Sequence, residues 1–487
     1  MIFLNWILGL VITITCLPSS YADPIPANFT VTYYEQKVDH FNYINNATFP
    51  QRMIVSTDHW CNQCPIFFYA GNEGDIFSFA NNTGFMWENA QKFGAMVMFV
   101  EHRYYGVSLP FGNSSYANLS TLGYLTVEQA MADYADILFN FRSTKGTDKS
   151  PVIMFGGSYG GMIAAWFRMK YPHLVVGSLA SSAPIEQFQG LYDCRGYNDR
   201  ASKSFRDYSE NCFQSIKKCW NAFNRVGSTD EGLQWLHDTF HLCQDLKASD
   251  LSTFVGWISD SFGTLAMIDY PNPADFLAPL PAFPINYTCQ QLQHPEHDDK
   301  ALLVDIYNAI SVFYNFTGQT TCNDYKDSSD SGRLGGDGWN FQACTEMVLP
   351  ICSIGNDTMF PEQQWDVDAY KKQCFQTYGI MSDIYKAEQL FGGQNISTAT
   401  NIIFSNGERD PWAPGGFYRQ ISPSLVNILI PHACHHEDLR PTGPNDPPSL
   451  LAIRRKEVEI ITQWIKDYYH SIQYWPREIW SQNRGSL

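Results

Sequence analysis

The sequence predicts an α/β protein in which a parallel sheet, covered by helices on both faces, is interrupted by a large, mostly helical insertion. In the first 185 or so residues, short apolar runs rich in β-branched residues alternate with helix-length segments. From about residue 187 to residue 392, charged, aromatic and cysteine residues are mixed in helix-length pieces, and strand-like runs are scarce. The alternation resumes after residue 392, so the C-terminal part of the chain completes the predicted sheet.

The individual elements are predicted in chain order from apolar periodicity. The strands of the sheet are predicted at residues 65–70, 95–100, 151–155, 175–180, 401–405 and 425–430. The helices are predicted at residues 126–141, 162–171, 231–246, 300–314 and 450–469.

The first 22 residues predict a signal peptide that is cleaved before Asp23. An uncharged, largely apolar run reaches Cys16, and Ser20 and Ala22 supply the small residues that a signal peptidase reads. A membrane anchor is the alternative, but the run is shorter than the ~20 apolar residues that a span needs. The rest of the chain divides into a first sheet segment, the insertion and a second sheet segment, at residues 23–186, 187–392 and 393–487.

Cysteine usage and glycosylation motifs indicate the secretory pathway, with the lysosome or the extracellular space as destination. Of the 13 cysteines, Cys16 leaves with the predicted signal peptide, and an even number remains for disulfides. The N-x-S/T acceptor motif occurs at Asn28, Asn46, Asn81, Asn113, Asn118, Asn286, Asn315, Asn356 and Asn395.

The charge of the chain excludes some classes of partner. A formal net charge of −17 at pH 7 argues against binding to nucleic acid or to anionic membranes. Protonation of the 12 histidines would cancel most of this charge, which suits an acidic compartment. No segment after the predicted signal peptide is long and apolar enough to span a membrane.

A G-x-S-x-G motif centred on Ser158 predicts a catalytic nucleophile. The motif lies between the predicted strand 151–155 and the helix that follows it, which is the strand–turn–helix setting of a nucleophile elbow. Such a turn lifts the serine hydroxyl to the carboxyl edge of the sheet, at the positive N-terminus of a helix. The alternative is a glycine-rich turn that only packs a helix on a strand.

A serine nucleophile needs a base and an acid that orients the base, and both follow later predicted strands. Asp410 lies in the loop after the strand 401–405, and His432, His435 and His436 lie in the loop after the strand 425–430. Asp410 before Pro411 could instead only form a turn. A metal site is disfavoured because the histidines lack the carboxylate–histidine spacing of zinc enzymes, so no metal and no cofactor is expected.

The oxyanion of the reaction needs two N–H donors. The backbone of Tyr159, the residue after the nucleophile, is the first predicted donor. The second is predicted from Gly71 and Asn72, in the loop that follows the strand 65–70. A simple strand-to-helix turn is the alternative for this loop.

Several separated segments resemble one family of serine peptidases, the family that comprises lysosomal Pro-Xaa carboxypeptidase and dipeptidyl peptidase II. They read IFFYAGNEGDI, EHRYYGVSLPFG, LTVEQAMADYA, GGSYGGMIAAWFRMKYPHLVVGSLASSAPI, SNGERDPW and HHEDLR. The likeness extends from about residue 33 to residue 469. The middle segments GLQWLHDTFHLC, LAMIDYPNPADFLAPLPAFPI and WNFQACTEMVLPIC are more similar to the Pro-Xaa carboxypeptidase side.

The resemblance implies an α/β-hydrolase fold with a large, mostly helical, disulfide-stapled cap inserted between nucleophile and acid. It assigns Ser158 as nucleophile, Asp410 as acid and His435 as base, with His432 and His436 as neighbours. It also implies peptide substrates with proline at the penultimate position, cleaved on the carboxyl side of that proline at a chain end. Activity at acidic pH in lysosomes, often as a homodimer, is a further implication.

The resemblance also guides expectations for the pocket and the disulfides. Trp412, Met162 and Leu349 are the candidates for an apolar proline pocket, with a plain core position as the alternative for each. The implied pairs are Cys194–Cys352, Cys212–Cys289, Cys243–Cys322 and Cys344–Cys374. Two further bridges are expected among the four remaining cysteines, Cys61, Cys64, Cys219 and Cys434, with the partners left open.

The sequence therefore predicts a serine exopeptidase that releases a C-terminal residue after proline through an acyl-enzyme. One alternative is a dipeptidyl peptidase that releases N-terminal Xaa-Pro dipeptides, with an acidic residue binding the free amine. A catalytically silent binding protein on the same scaffold is another. A lipase or esterase is disfavoured because no apolar lid is evident.

Overall fold

The structure is a computed structural model that describes residues 28–143, 146–326, 334–474 and 476. The predicted signal peptide, its cleavage site and Cys16 lie outside the described residues. Within those ranges, no helix is both long and apolar enough to cross a membrane. Seven of the nine predicted glycosylation asparagines are exposed, and the other two, Asn81 and Asn315, are partly exposed.

A single large sheet of eight strands forms the centre of the described structure, with the strand order β1-β2-β4-β3-β5-β6-β9-β10. Its strands are β1 (Thr30–Lys37), β2 (Thr48–Ser56), β3 (Ile66–Ala70), β4 (Met96–Val100), β5 (Val152–Gly157), β6 (Gly177–Ser181), β9 (Ile402–Gly407) and β10 (Leu425–Ile430). Two short strands elsewhere, β7 (Ala274–Asp275) and β8 (Pro279–Leu280), pair with each other.

The sheet is mixed, not wholly parallel as the sequence predicted. The strands from β4 to β10 in the sheet order run parallel, whereas β1 and β2 are antiparallel to their neighbours. The two antiparallel strands were missed for different reasons: most residues of β1 are exposed or half-buried, and β2 has the polar residues Gln51 and Arg52 among its buried positions. Antiparallel strands at a sheet edge tolerate such exposure, whereas parallel strands are covered on both faces.

The neighbouring strands β3 and β4 are apolar throughout because both of their faces are buried. Along β3, Phe67 and Tyr69 pack in the core on one face of the sheet, and Ile66, Phe68 and Ala70 pack in the core on the other. Alternate side chains of a strand point to opposite faces, so a continuous apolar run is what a doubly covered sheet requires.

Helices cover the sheet and build the insertion. They are α1 (Ile76–Asn82), α2 (Gly84–Phe93), α3 (Leu119–Leu122), α4 (Val127–Arg142), α5 (Tyr159–Lys170), α6 (Gly196–Tyr208), α7 (Glu210–Val226), α8 (Asp230–Thr239), α9 (Leu251–Met267), α10 (Pro284–Gln290), α11 (Asp299–Tyr314), α12 (Gly336–Thr345), α13 (Val367–Tyr378), α14 (Lys386–Phe391) and α15 (Pro448–Ser471).

Two predicted helices differ from the structure. The helix after the nucleophile begins at Tyr159, three residues earlier than predicted, because the turn is confined to Ser158. The helix predicted at 231–246 ends at Thr239. Its chain then reverses at His241, where a positive φ of 49° cannot continue a right-handed helix.

The segment between β6 and β9 is the cap; its helices are α6 to α14. Together with the strand order, this insertion after the part of the sheet that carries Ser158 gives the molecule the α/β-hydrolase fold. The structure forms the cap disulfides Cys194–Cys352, Cys212–Cys289, Cys243–Cys322 and Cys344–Cys374, the pairs that the resemblance implied.

The expectation of two further bridges is wrong. Cys61 pairs with Cys64, but Cys219 and Cys434 are free and buried among the described residues. Cys219 lies on the buried face of α7, and the Cys434 thiol donates to the backbone oxygen of Asp269 at 3.3 Å. Both cysteines act as small buried side chains in their own elements.

Candidate active site

Ser158 occupies the turn between β5 and α5. Its backbone has φ 59° and ψ −128°, a conformation that side-chain-bearing residues rarely adopt and that sharp functional turns stabilise. The glycine pattern follows from close packing, since a Cβ atom at Gly156 would lie 2.0 Å from the Gly160 oxygen. The Ser158 N–H donates to the Ser181 oxygen of β6 at 3.0 Å. The serine is thereby fixed at the carboxyl edge of the sheet, at the N-terminus of α5.

The histidine–aspartate pair follows two other parallel strands at the same edge. His435 Nδ1 and Asp410 Oδ2 are 2.9 Å apart, and the two side chains are 2% and 0% exposed. The other carboxylate oxygen, Oδ1, accepts the Trp412 N–H at 2.9 Å. With both oxygens engaged, the carboxylate can accept Nδ1–H and leave Nε2 as the proton acceptor of a neutral imidazole.

Ser158 and His435 line one cavity of about 800 Å³ between the sheet edge and the cap. One face of α9 forms the cap wall of this cavity, from Thr253 to Met267. The predicted pocket residues Met162, Trp412 and Leu349 line the same cavity. The structure therefore brings together side chains that are distant in the sequence.

The cap also holds the backbone of His435. The His435 N–H donates to the Met267 oxygen at 3.1 Å, at the end of α9, and the Tyr270 hydroxyl donates to the His435 oxygen at 3.1 Å. Neither contact is evident from the sequence, because Met267 and Tyr270 belong to an apolar segment that reads as core.

The two other histidines of the loop have different environments. His436 is buried, its ring centroid lies 4.5 Å from that of His435, and its N–H donates to Ser182 Oγ at 2.7 Å. Burial, followed by the charges of His435 and Arg440, lowers the pKa of His436 well below its usual value. His432 is largely exposed. No cluster of three metal-binding side chains occurs within the described ranges.

The structure separates the predicted oxyanion donors. Tyr159 is the first residue of α5, so its N–H has no partner within the helix. The Gly71 N–H, however, donates to the Val100 oxygen at 3.0 Å, and a Cβ at Gly71 would lie 2.1 Å from that oxygen. A glycine is needed at position 71 because the backbone at the end of β4 leaves no room for a side chain. Its N–H is not available to an oxyanion. Asn72 lines the cavity, and its N–H has no partner among the described residues.

The apolar end of the cavity surrounds Trp412. Its ring packs edge-on against Tyr197 at a centroid distance of 4.8 Å, and its Nε1–H points to the Met267 sulfur at 3.2 Å. Tyr197, on α6 of the cap, was not predicted, since nothing in its local sequence distinguishes it from a core aromatic residue. Met162, on α5, is 1% exposed and closes the pocket from the sheet side.

A buried polar network links the cap to the residue after the nucleophile. On α12, Gln342 Nε2 lies 2.9 Å from the Tyr159 hydroxyl and 3.0 Å from Glu346 Oε1. The Tyr105 hydroxyl donates to Gln342 Oε1 at 2.5 Å, and the Val127 N–H donates to Glu346 Oε1 at 2.8 Å. Burial raises the pKa of Glu346 to about 7.

Glu73 is a second cavity residue that the sequence did not identify. It follows Asn72 in the loop after β3, is 8% exposed and lines the cavity. The sequence feature that could have identified it is the pair of acidic residues in this loop, Glu73 and Asp75. Asp75 caps α1 through its bond to Phe77 N–H at 2.8 Å, which leaves Glu73 without a structural explanation.

Comparison with known proteins places the chain in a family. The model of the family described as serine carboxypeptidase S28 matches residues 36–457. The chain is 46% identical to the lysosomal Pro-X carboxypeptidase of Homo sapiens, over 92% of this chain and 90% of that protein. It is 47% identical to the Mus musculus protein of the same name, over 93% of this chain and 92% of that protein.

A more distant relative and a solved structure were also found. The thymus-specific serine protease of Mus musculus is 28% identical, over 89% of this chain and 87% of that protein. Proline iminopeptidase of Mycobacterium smegmatis has a TM-score of 0.37 and 10% identity, over 90% of this chain and 100% of that chain. On the strength of the family match and of the 46% and 47% identities over nearly the whole chain, the protein belongs to the serine carboxypeptidase S28 family of serine peptidases.

Proposed function

We propose that this peptidase hydrolyses peptides on the carboxyl side of a penultimate proline and releases the C-terminal residue. The observation that carries the proposal is the buried 2.9 Å contact of His435 with Asp410 in a loop that shares its cavity with Ser158. The names of the relatives at 46% and 47% identity, both Pro-X carboxypeptidases, support the substrate class.

The proposed reaction is acyl transfer. Ser158 Oγ attacks the carbonyl carbon of proline, and His435 Nε2 takes the hydroxyl proton. The Asp410 carboxylate stabilises the resulting imidazolium. The N–H groups of Tyr159 and Asn72 hold the oxyanion. His435 then gives the proton to the leaving amine, and a water molecule hydrolyses the acyl-enzyme by the same route.

The proposed proline pocket uses Trp412, Met162 and Leu349. A pyrrolidine ring packs well on an indole face, and the edge-on contact of Trp412 with Tyr197 supports a fixed orientation of that face. The cap covers the carboxyl edge of the sheet, which supports a restriction to short peptides and free chain ends.

The setting of the enzyme is part of the proposal. The predicted signal peptide, the exposed glycosylation motifs and the disulfides support a lysosomal or secreted location. The resemblance supports a homodimer, which a measurement of the native mass in solution would test.

The test is the hydrolysis of an N-blocked Pro-Phe dipeptide compared with that of an Xaa-Pro-amide with a free N-terminus, across pH. The proposal expects release of phenylalanine from the blocked substrate. Cleavage of the free Xaa-Pro-amide alone would replace the proposal by a dipeptidyl peptidase. Failure of a fluorophosphonate probe to label Ser158, checked with the Ser158→Ala variant, would indicate a silent scaffold.

A further inference from the structure

The carboxyl group of Glu73 lies in the active-site cavity and has no role in the mechanism described above. Its Oε2 atom is buried and has no hydrogen-bond partner among the described residues. A buried carboxyl oxygen without a partner costs free energy that a ligand can recover. Among the described residues that line the cavity, only Trp257 Nε1 on the cap wall shares this lack of a partner, and Glu73 is the one acidic group of the two.

The loop that carries Glu73 is held from two sides. The Glu73 backbone oxygen accepts the Gly335 N–H of the cap at 2.7 Å, and Gly74 forms an antiparallel bridge with Leu334. On the sheet side, the Gly71 oxygen accepts the Tyr134 hydroxyl at 2.7 Å. The carboxyl group is thus presented from a fixed backbone.

Glu73 lines the same cavity as the groups that act on the leaving residue in the proposed reaction. It directly follows Asn72, a proposed oxyanion donor, and it interacts electrostatically with His435, which protonates the leaving amine. Consecutive residues of a peptide are about 3.8 Å apart, so the terminal carboxylate of a one-residue leaving group lies about one residue from the scissile carbonyl. Glu73 is likewise one residue from Asn72, whose N–H is proposed to hold the oxygen of the scissile carbonyl.

The reaction centre offers no permanent cation for that carboxylate. Of the described residues that line the cavity, Lys326 is the only lysine or arginine. It pairs with Asp250, 2.6 Å away, just before the start of α9, whereas Met267 at the other end of α9 contacts His435. A helix of 17 residues is about 25 Å long, so Lys326 is remote from the scissile bond.

The protonation state of Glu73 decides whether it attracts or repels a carboxylate. Its titratable neighbours are Tyr69, Tyr105, Tyr159 and His435. Burial raises the pKa of Glu73, while its own backbone N–H, the Asn72 side chain and His435 act in the opposite direction. In the neutral form the O–H group can donate to a carboxylate, and such charge-assisted hydrogen bonds are strong.

We propose that Glu73, as a neutral carboxyl group, donates a hydrogen bond from Oε2 to the C-terminal carboxylate of the substrate and so selects peptide chain ends. The inference rests on the proposed carboxypeptidase function. It makes Glu73 a substrate-binding residue whose contribution is lost when the pH rises and the carboxyl group ionises.

The test compares an N-blocked Pro-Phe acid with its Pro-Phe amide for the wild type, Glu73→Leu and Glu73→Gln, between pH 4.5 and 7.5. In the wild type, the ratio of kcat/KM for acid over amide should be highest at acidic pH and fall as pH rises. Glu73→Leu should lower that ratio about 10- to 100-fold at pH 5, the range expected for a hydrogen bond to a charged group. Glu73→Gln keeps a donor that does not titrate, so its ratio should stay high and change little with pH.

Controls separate failure of this inference from failure of the proposed function. Labelling by a small fluorophosphonate, which has no carboxylate, reports that each variant is folded. Glu231→Gln on the exposed face of α8 removes one charge away from the cavity and should leave the ratio unchanged. If the wild type cleaves neither Pro-Phe substrate, the proposed function itself is wrong.

Three outcomes would overturn the role of Glu73 while the carboxypeptidase function stands. One is an unchanged acid-to-amide ratio in Glu73→Leu. Another is an equal fall in kcat/KM for the acid and the amide substrate, which would mean that Glu73 supports catalysis through its interaction with His435 and does not bind the carboxylate. The last is a fall in kcat/KM for the free Xaa-Pro-amide alone, with both N-blocked substrates unaffected, which would mean that Glu73 binds an amine.

Discussion

At the scale of single residues, Asp410 has the most sharply defined part. Its carboxylate is fully buried and accepts hydrogen bonds from the Trp412 N–H and from His435 Nδ1, so it fixes the tautomer of the imidazole. In Asp410→Asn, the amide can present an N–H to Nδ1, which would move the ring proton to Nε2 and abolish its basicity. We expect kcat to fall by about 10³- to 10⁴-fold with little change in KM.

The measurement is steady-state hydrolysis of the blocked Pro-Phe peptide. Glu408→Gln is the matched control, because this half-exposed carboxylate lies two residues before Asp410 and accepts the His432 N–H at 2.9 Å, a bond that the glutamine oxygen can also accept. The control should retain activity within about 3-fold, as surface substitutions usually do. A loss of similar size in both variants would mean that the loop tolerates no amide, and would contradict the tautomer argument.

At the scale of elements, Gln342 of α12 contacts the Tyr159 hydroxyl of α5, and the buried carboxyl group of Glu346, just after α12, accepts the Val127 N–H of α4. The pKa of Glu346 is raised by burial from 4.5 to about 7. Between these values the folded state binds more protons than the unfolded state, so stability falls as pH rises through this window. Glu346→Gln does not titrate, so its stability relative to wild type should increase from pH 5 to pH 8, by up to roughly 3 kcal/mol.

Thermal unfolding of both proteins over this pH range measures the effect. Glu210→Gln, at a largely exposed carboxyl group on α7, should show a difference from wild type that does not change with pH. If the stability difference between Glu346→Gln and wild type also stays constant with pH, Glu346 is already charged in the folded protein at pH 5.

The elements also show what a sequence can and cannot predict here. The buried parallel strands were predictable because a doubly covered strand is apolar at every position, as in β4 with its sequence MVMFV. The edge strand β1 and its neighbour β2 were not, because their pattern is half polar. Ser158, Asp410 and His435 could be named because each follows a recognisable strand. Contacts such as Met267 with His435 could not, because they depend on how the cap packs.

At the scale of the whole molecule, no disulfide among the described residues joins the cap to the sheet. Within the described ranges, four disulfides lie inside the cap and the fifth, Cys61–Cys64, lies beside the sheet. The cap meets the sheet through polar contacts at the active site itself, from Met267 to His435 and from Gly335 to Glu73. Catalytic geometry and cap docking therefore depend on each other.

The thiols of Cys219 and Cys434 offer a test of the molecule as a whole. Burial raises the pKa of both thiols well above the usual value, so neither forms the reactive thiolate in the folded state. We expect the native protein, freed of its predicted signal peptide, to show no reactive thiol in an Ellman titration. Unfolding in guanidinium chloride without a reductant should expose two reactive thiols. The unfolded Cys219→Ala and Cys434→Ala variants should each show one. Four thiols, or none, would contradict the disulfide arrangement on which the shape of the cap depends.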